Sequence, residues 1–242
     1  MLATIKHDQQ RSENKNDMRK TGLIIIFGLI SSIVYGQNFE TNLTLSPLMT
    51  FKSNQTTENK LAFGFSGSLQ EFYNLNDNFA IGTELTYSFE NYKLIRDFDG
   101  ISIPEATLYY ESKLTVNSLK IPLILRLKTK SDWSLSVGYG LTYDIGNKAS
   151  VEYVYSDWFS KDETKTEIPD KSVDSENDMN SYIKVGFGKS FKIKDIRLLT
   201  EIYYNKSFAD YRIEHGGANG AEILYFYDIS PQFIGFKIGL GL

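Results

Sequence analysis

The sequence predicts an all-β chain, a closed antiparallel eight-stranded transmembrane up-and-down β-barrel. Three observations carry that expectation: strands that alternate strictly in polarity, connections that alternate between short and long, and an export leader ahead of them. The alternation is clearest from Leu119 to Gly146. Leu119, Ile121, Leu123, Leu125 and Leu127, then Trp133, Leu135, Val137, Tyr139, Leu141, Tyr143 and Ile145, share one parity. Lys120, Arg126, Lys128, Ser134, Ser136, Gly138, Gly140, Thr142, Asp144 and Gly146 take the other. A period of two means extended strands with two faces, and Thr129 to Asp132 between them reads as a tight turn.

The chain divides into an N-terminal extension with leader, residues 1–36, and a barrel domain, residues 37–242. Met18, Arg19 and Lys20 give a short positive start, Gly22 to Val34 is an apolar run of 13, and Val34-Tyr35-Gly36 has the spacing of a signal-peptide cleavage site. Cleavage is expected between Gly36 and Gln37, with translation expected to begin at Met18. The run is shorter than the roughly 20 residues that a spanning helix needs, and with no cysteine after it a lipid anchor is excluded. Loss of residues 1–36 leaves 21 basic against 27 acidic residues.

After the leader the strands follow in order. Phe39, Leu43, Leu45, Met49 and Phe51 share a face in the first; Leu61, Phe63, Phe65, Leu69 and Tyr73 in the second; alternate residues from Phe79 to Phe89 in the third. The hairpin from Leu119 supplies the fourth and fifth. Ile183, Val185, Phe187 and Phe191, then Ile196, Leu198, Ile202 and Tyr204, then Ile234, Phe236, Ile238, Leu240 and Leu242 complete the eight. Short turns fall near Asn76 to Asn78, Thr129 to Asp132 and Lys192 to Asp195; long connections near Ser53 to Lys60, Asp97 to Glu105, Ser156 to Ser181 and Ile213 to Glu222. Short turns on one side and long loops on the other are the asymmetry of outer-membrane barrels.

A soluble β-sandwich also alternates apolar and polar. Two features favour the barrel. The polar face is rich in Gly, Ser, Ala and Thr, which suit a narrow interior. Ten residues separate Phe79 from Phe89 and Trp133 from Tyr143; a tilted strand of that length rises roughly 25 Å, the height of an apolar band between aromatic girdles. Phe79, Phe89, Trp133 and Tyr143 are therefore expected at the girdles.

The remaining composition narrows the function. With 26 basic and 30 acidic residues, a net charge of -4 offers no broad basic field, so nucleic acid is not an expected partner. Zero cysteines exclude disulfides and thiolate chemistry. Tyr 16 and Phe 16, with Gly 18 against five Pro, suit long strands.

The Leu119-Lys120-Ile121-Pro122-Leu123 strand entry, with the paired strands around GFSGSLQEFYNLNDNFAIGTELTY, resembles the PorT-like outer-membrane β-barrel proteins over residues 37–242. The resemblance implies the fold and a bacterial outer-membrane location. It says less about activity, because that group is mostly uncharacterised, with one branch implicated in protein secretion. The chain departs from the usual outer-membrane ending by finishing on Leu242 instead of Phe, while Phe236 to Leu242 keeps the alternation.

An enzymatic alternative rests on His215, the one histidine after the leader, within Glu214 to Gly220. A histidine beside a carboxylate has the chemistry of a general base, and a lipid-modifying enzyme at the external rim would need Ser156 or Ser160 beside it. The bland reading, a solvated histidine in a Gly-rich turn, is preferred. Asp174, Glu176 and Asp178 resemble the opening of a calcium loop, but Met179 stands where Gly is required and Val185 where Glu is. No metal or cofactor is expected.

From Asp157 to Asp178 eight carboxylates face three lysines, a composition that favours disorder. This external loop, 156–181, is the expected contact for an envelope or secretion protein, and the barrel wall for outer-membrane lipid and lipopolysaccharide. Inside, Glu84, Lys120, Arg126, Asp144, Lys184, Arg197, Glu201 and Lys237 share the lumen parity and must pair or meet water. Arg126 is expected to reach Glu84 or, failing that, Glu201.

Overall fold

The computed structural model describes residues 38–52, 58–97, 106–157, 163–167, 171–175, 179–194, 196–215 and 225–242. The leader with its Gly36 and Gln37 junction lies outside them, as do Ser160, Glu176 and Asp178. All regular structure among the described residues is β. In chain order the strands are β1 (Phe39–Lys52), β2 (Glu58–Lys60), β3 (Ala62–Asn74), β4 (Phe79–Asp97), β5 (Ala106–Lys128) and β6 (Trp133–Asp157). Then come β7 (Glu163–Glu167), β8 (Lys171–Ser175), β9 (Met179–Ile193), β10 (Ile196–Ser207), β11 (Tyr211–His215), β12 (Tyr225–Ile229) and β13 (Pro231–Gly241).

Ten strands, not the expected eight, form the main antiparallel sheet. Eight of them pair on both sides in the sequence β1, β3, β4, β5, β6, β9, β10, β13 and back to β1, so the sheet is a ring. The two additional strands are short and pair on the ring's side only, β2 with the upper end of β4 and β7 with the upper end of β6. Their sequences, ENK and ETKTE, carry no apolar alternation, so periodicity does not find them. A second sheet, in the order β12-β11-β8, has no strand pairing with the ring. The acidic stretch 160–178, expected to be without regular structure, therefore contains β7 and β8.

Tight turns join the strands at one end. Thr129 N donates to the Trp133 carbonyl at 2.8 Å, and Asp132 turns the chain at φ 62°. Lys194, at φ 55°, does the same between β9 and β10. Left-handed backbone is uncommon for residues other than Gly, but aspartate tolerates it better than most. At the other end β4, β5 and β6 run on past the ring.

Where they do, β5 and β6 slip by one residue: Asn117 faces Gly146 while Ser118 faces Asp144, leaving Ile145 over. This bulge reverses the parity of β6. Below it Ser136, Thr142 and Asp144 point into the ring; above it Val151 does, and Lys148 is exposed.

The distribution of polarity is inverted relative to a soluble domain. Leu43, Leu45, Phe63, Leu123, Leu125, Val137, Tyr139, Phe187, Ile202 and Phe236 are among many exposed apolar side chains, while Asn42, Gln70, Glu84, Lys184, Glu201 and Lys237 are buried. A continuous exposed apolar surface of this extent needs a nonaqueous partner.

Candidate functional site

The interior of the ring is the most developed site among the described residues, and it is built in layers from the short-turn end upward. The lowest layer centres on Glu40. Arg126 Nη1 reaches its Oε1 at 3.0 Å, Lys128 Nζ its Oε2 at 2.5 Å, and Arg197 Nη1 the same oxygen at 3.0 Å. The Arg126 guanidinium also lies 3.4 Å from the centroid of Phe72, a cation–π contact. Arg126 thus pairs with neither Glu84 nor Glu201. Its cross-strand neighbour on β4 is Ala80, and Glu84 stands four residues higher, so the nearest carboxylate for the guanidinium is across the ring on β1.

Above a small apolar layer of Phe72, Ala80 and Ile124 sits the central cluster. Glu84 Oε2 accepts from Lys184 Nζ at 2.6 Å, from Gln70 Nε2 at 2.8 Å and from Lys237 Nζ at 2.9 Å; its Oε1 accepts from Thr86 at 2.6 Å. Glu201 lies 3.8 Å from Lys237 and accepts from Ser136 at 2.8 Å. Two lysines and two carboxylates from β4, β9, β10 and β13 thus neutralise one another, and Lys237 is only 1% exposed. Small residues make room for this. A Cβ on Gly186 would stand 1.9 Å from Glu201 Oε1, and one on Gly235 would stand 2.4 Å from the Tyr203 ring.

The next layer pairs Lys120 with Glu90, which also accepts from Ser88 at 2.7 Å and from the Tyr92 hydroxyl at 2.6 Å. Leu48, Tyr203 and Phe233 pack beside it. Asp144 accepts from the Tyr211 hydroxyl at 2.7 Å. Over these, Tyr92, Leu94, Tyr110, Leu114, Val116 and Val151 of the ring strands pack against Ala209, Tyr211 and Ile229. The second sheet therefore presses residues from its β11 and β12 ends into the upper mouth. Glu40, Glu90, Gln70 and Tyr203 are members of the network that the sequence reading missed; each stands at lumen parity on its strand.

The aromatic candidates face the other way. Phe79, Phe89 and Trp133 are exposed on the outside, and Tyr143 is half-buried. Trp133 stacks on Phe187 at 5.0 Å, with Lys189 Nζ 4.8 Å from the indole.

His215 ends β11, its backbone opposite Lys171 and Tyr225. The side chains of His215 and Ser156 lie outside the described residues.

Outside and above the apolar belt lies an ionic cluster around Glu111. This buried carboxylate takes Lys93 at 2.7 Å, Lys165 at 3.2 Å and Lys113 at 3.4 Å. Burial would raise its pKa, but hydrogen bonds from Lys93 and Lys165 and their charges outweigh that and hold it at about 2. A depressed carboxyl contributes stability above its unfolded pKa, 4.5 here, and loses it as pH falls through about 2. In a Lys165→Met variant the Glu111 titration, followed by carboxyl ¹³C shift, should move up toward 4.5; an unmoved midpoint would show that Lys165 does not hold it.

A family model described as outer membrane protein beta-barrel domain matches residues 9–211. Among solved structures the chain is similar to the outer membrane protein OprG from Pseudomonas aeruginosa, at 12% identity and TM-score 0.44 over 86% of this chain and 98% of that one. It is also similar to neisserial surface protein A, at 13% identity and TM-score 0.38 over 86% and 99%. Ail, the attachment invasion locus protein of Yersinia pestis, follows at 10% identity and TM-score 0.36 over 85% and 98%. No curated protein matches.

Proposed function

Because the chain belongs to the outer membrane protein beta-barrel domain family, we propose that its eight long strands form a closed transmembrane barrel in the bacterial outer membrane, with a structural or binding role and no catalytic one. The observation that carries this reading is the filled interior. Charged groups from six strands pair across the ring, and the aromatic layer of Tyr92, Tyr110 and Tyr211 lies above them. A ring of eight strands has room for side chains but not for a wide aqueous path. A solute channel needs an open, solvated path that such an interior does not offer.

The finer reading is a PorT-like barrel that begins at Gln37 after leader removal and serves envelope assembly or secretion as an accessory. Its barrel wall meets outer-membrane lipid, and its acidic connection, 156–181, meets a protein partner. The purified chain should migrate differently on a gel before and after boiling, as folded barrels do, and should give no large steady currents in a planar bilayer. Steady single-channel conductance would refute the filled interior, and recovery of the chain in a detergent-free periplasmic extract would refute the location.

A further inference from the structure

We propose that the outward hollow at the upper end of β4, β5 and β6 binds the phosphorylated saccharide head group of a lipid in the external leaflet, a lipid of the lipid A class. The proposal rests on the transmembrane reading, because it takes its orientation from it: short turns at the periplasmic end and extended strands outside.

Position is the first argument. The outward faces of these strands are apolar up to one level, with exposed Tyr87 and Phe89 on β4, Ile121 on β5 and Ile145 on β6. Immediately above, the same faces become basic and polar. Asn91 and Lys93 follow Phe89 at two-residue steps; Thr115 and Lys113 stand opposite them on β5; Lys148 and Ser150 stand opposite those on β6. The bulge at Asn117 and Ser118 contributes, because its parity reversal turns Lys148 outward in line with its neighbours. Lipid phosphates occupy this boundary between acyl chains and water, and lysines there extend their stems along apolar surface while the ammonium reaches the phosphate.

Charge is the second. Lys93 lies directly opposite Lys113, and like charges in facing positions of a sheet are destabilising unless something compensates them. Glu111 takes up both lysines from above and also serves Lys165, and Lys113 has a second carboxylate in Glu152, so two carboxylates answer three ammonium groups. Glu152 stands 3.8 Å from Lys113. Lys148, one row nearer the belt, is exposed and has no ion pair among the described residues. The hollow itself is lined by Lys93, Lys113 and Lys148, with Glu167 as its one carboxylate.

Shape is the third. The hollow holds about 510 Å³ and has an apolar part that includes Ala62 and Ala149. That is too large for one inorganic phosphate and is the scale of a small-molecule site, roughly 300 to 1,000 Å³. A phosphorylated sugar carrying acyl chains offers anionic groups for the lysines, a saccharide body for the hollow and chains for the belt below it.

The test uses the full chain folded in nonionic detergent, with native mass spectrometry as the readout and four probes: bisphosphorylated lipid A, the same lipid dephosphorylated, phosphatidylglycerol and inorganic phosphate. Bisphosphorylated lipid A should be retained about tenfold better than its dephosphorylated form, the scale expected for a few exposed charge contacts. The double variant Lys113→Glu with Lys148→Glu should remove that preference. Lys189→Glu, at the opposite rim beside Trp133, should keep it. Lys148→Gln alone should weaken it and serves if the double variant does not fold. Equal retention of the two lipid A forms, or of phosphatidylglycerol, overturns the site, as does complete displacement of lipid A by inorganic phosphate. Failure of the wild-type chain to form a heat-modifiable species in detergent overturns the transmembrane reading itself, an outcome distinct from a folded chain without phosphate preference.

Discussion

Replacing Glu84 by Ala is expected to cost about 3 to 5 kcal/mol of folding stability, the scale measured when one partner of a buried ion pair is removed. The carboxylate is 4% exposed and accepts from Lys184, Lys237, Gln70 and Thr86 at once. Without it both lysines remain buried with only Glu201 as counter-charge, 3.8 Å from Lys237. Glu84→Gln should cost less, since the amide keeps an acceptor for one lysine. Replacing Glu84 and Lys237 together by Met should recover much of the loss, because a well-packed apolar pair is often as stable as the ion pair it replaces. Urea titrations of the refolded chain in lipid vesicles measure all three. A Glu84→Ala penalty below about 1 kcal/mol, the value of exposed pairs, would mean that bulk water reaches the centre of the ring.

That cluster also marks the limit of one-dimensional reading. The alternation put Glu84, Lys184, Glu201 and Lys237 on interior parity, because a two-residue period depends only on the chain itself. Which carboxylate meets which cation depends on strand register and on depth across the ring, and these are set by pairings such as Ala80 with Arg126 that no single strand records. Glu40 illustrates this. It opens β1 at interior parity, yet its partners Arg126, Lys128 and Arg197 come from β5 and β10, both beyond its neighbours in the sheet.

The upper third of the molecule was hidden for a different reason. In β5 the side chains alternate faces without a break, but the apolar residues change from the inner face at Leu114 and Val116 to the outer face at Leu119 and Ile121, and in β6 the bulge at Ile145 exchanges the faces themselves. A pattern search stops at such a break. The strands of the second sheet are five residues each, too short for a convincing period, and β11 and β12 flank a Gly-rich segment that reads as loop. Consequently the packing of Ala209, Tyr211 and Ile229 on the extended strands was not foreseeable. Nor was the lysine hollow, where the bulge turns Lys148 of β6 outward beside Lys93 and Lys113.

The outward surface gives the second large effect, and it separates membrane from water. Leu123 is 62% exposed on the outside of β5, opposite Tyr139 on β6 and Thr83 on β4. It stands midway between the levels of Trp133 and Tyr143, which are ten residues apart on β6. In lipid this is the middle of the apolar belt, so Leu123→Arg is expected to cost about 2 to 4 kcal/mol. Leu135 also faces outward but lies two residues from Trp133 at the short-turn rim. Arginine there reaches the interface, and the penalty should fall to about 0 to 1 kcal/mol. A soluble sheet would show no such gradient, because an exposed leucine replaced by arginine in water usually changes stability by less than about 0.5 kcal/mol at either height. Equilibrium unfolding of both variants in vesicles reads the difference directly. Equal and small penalties at Leu123 and Leu135 would mean that no bilayer surrounds this surface, whatever the polarity of the interior.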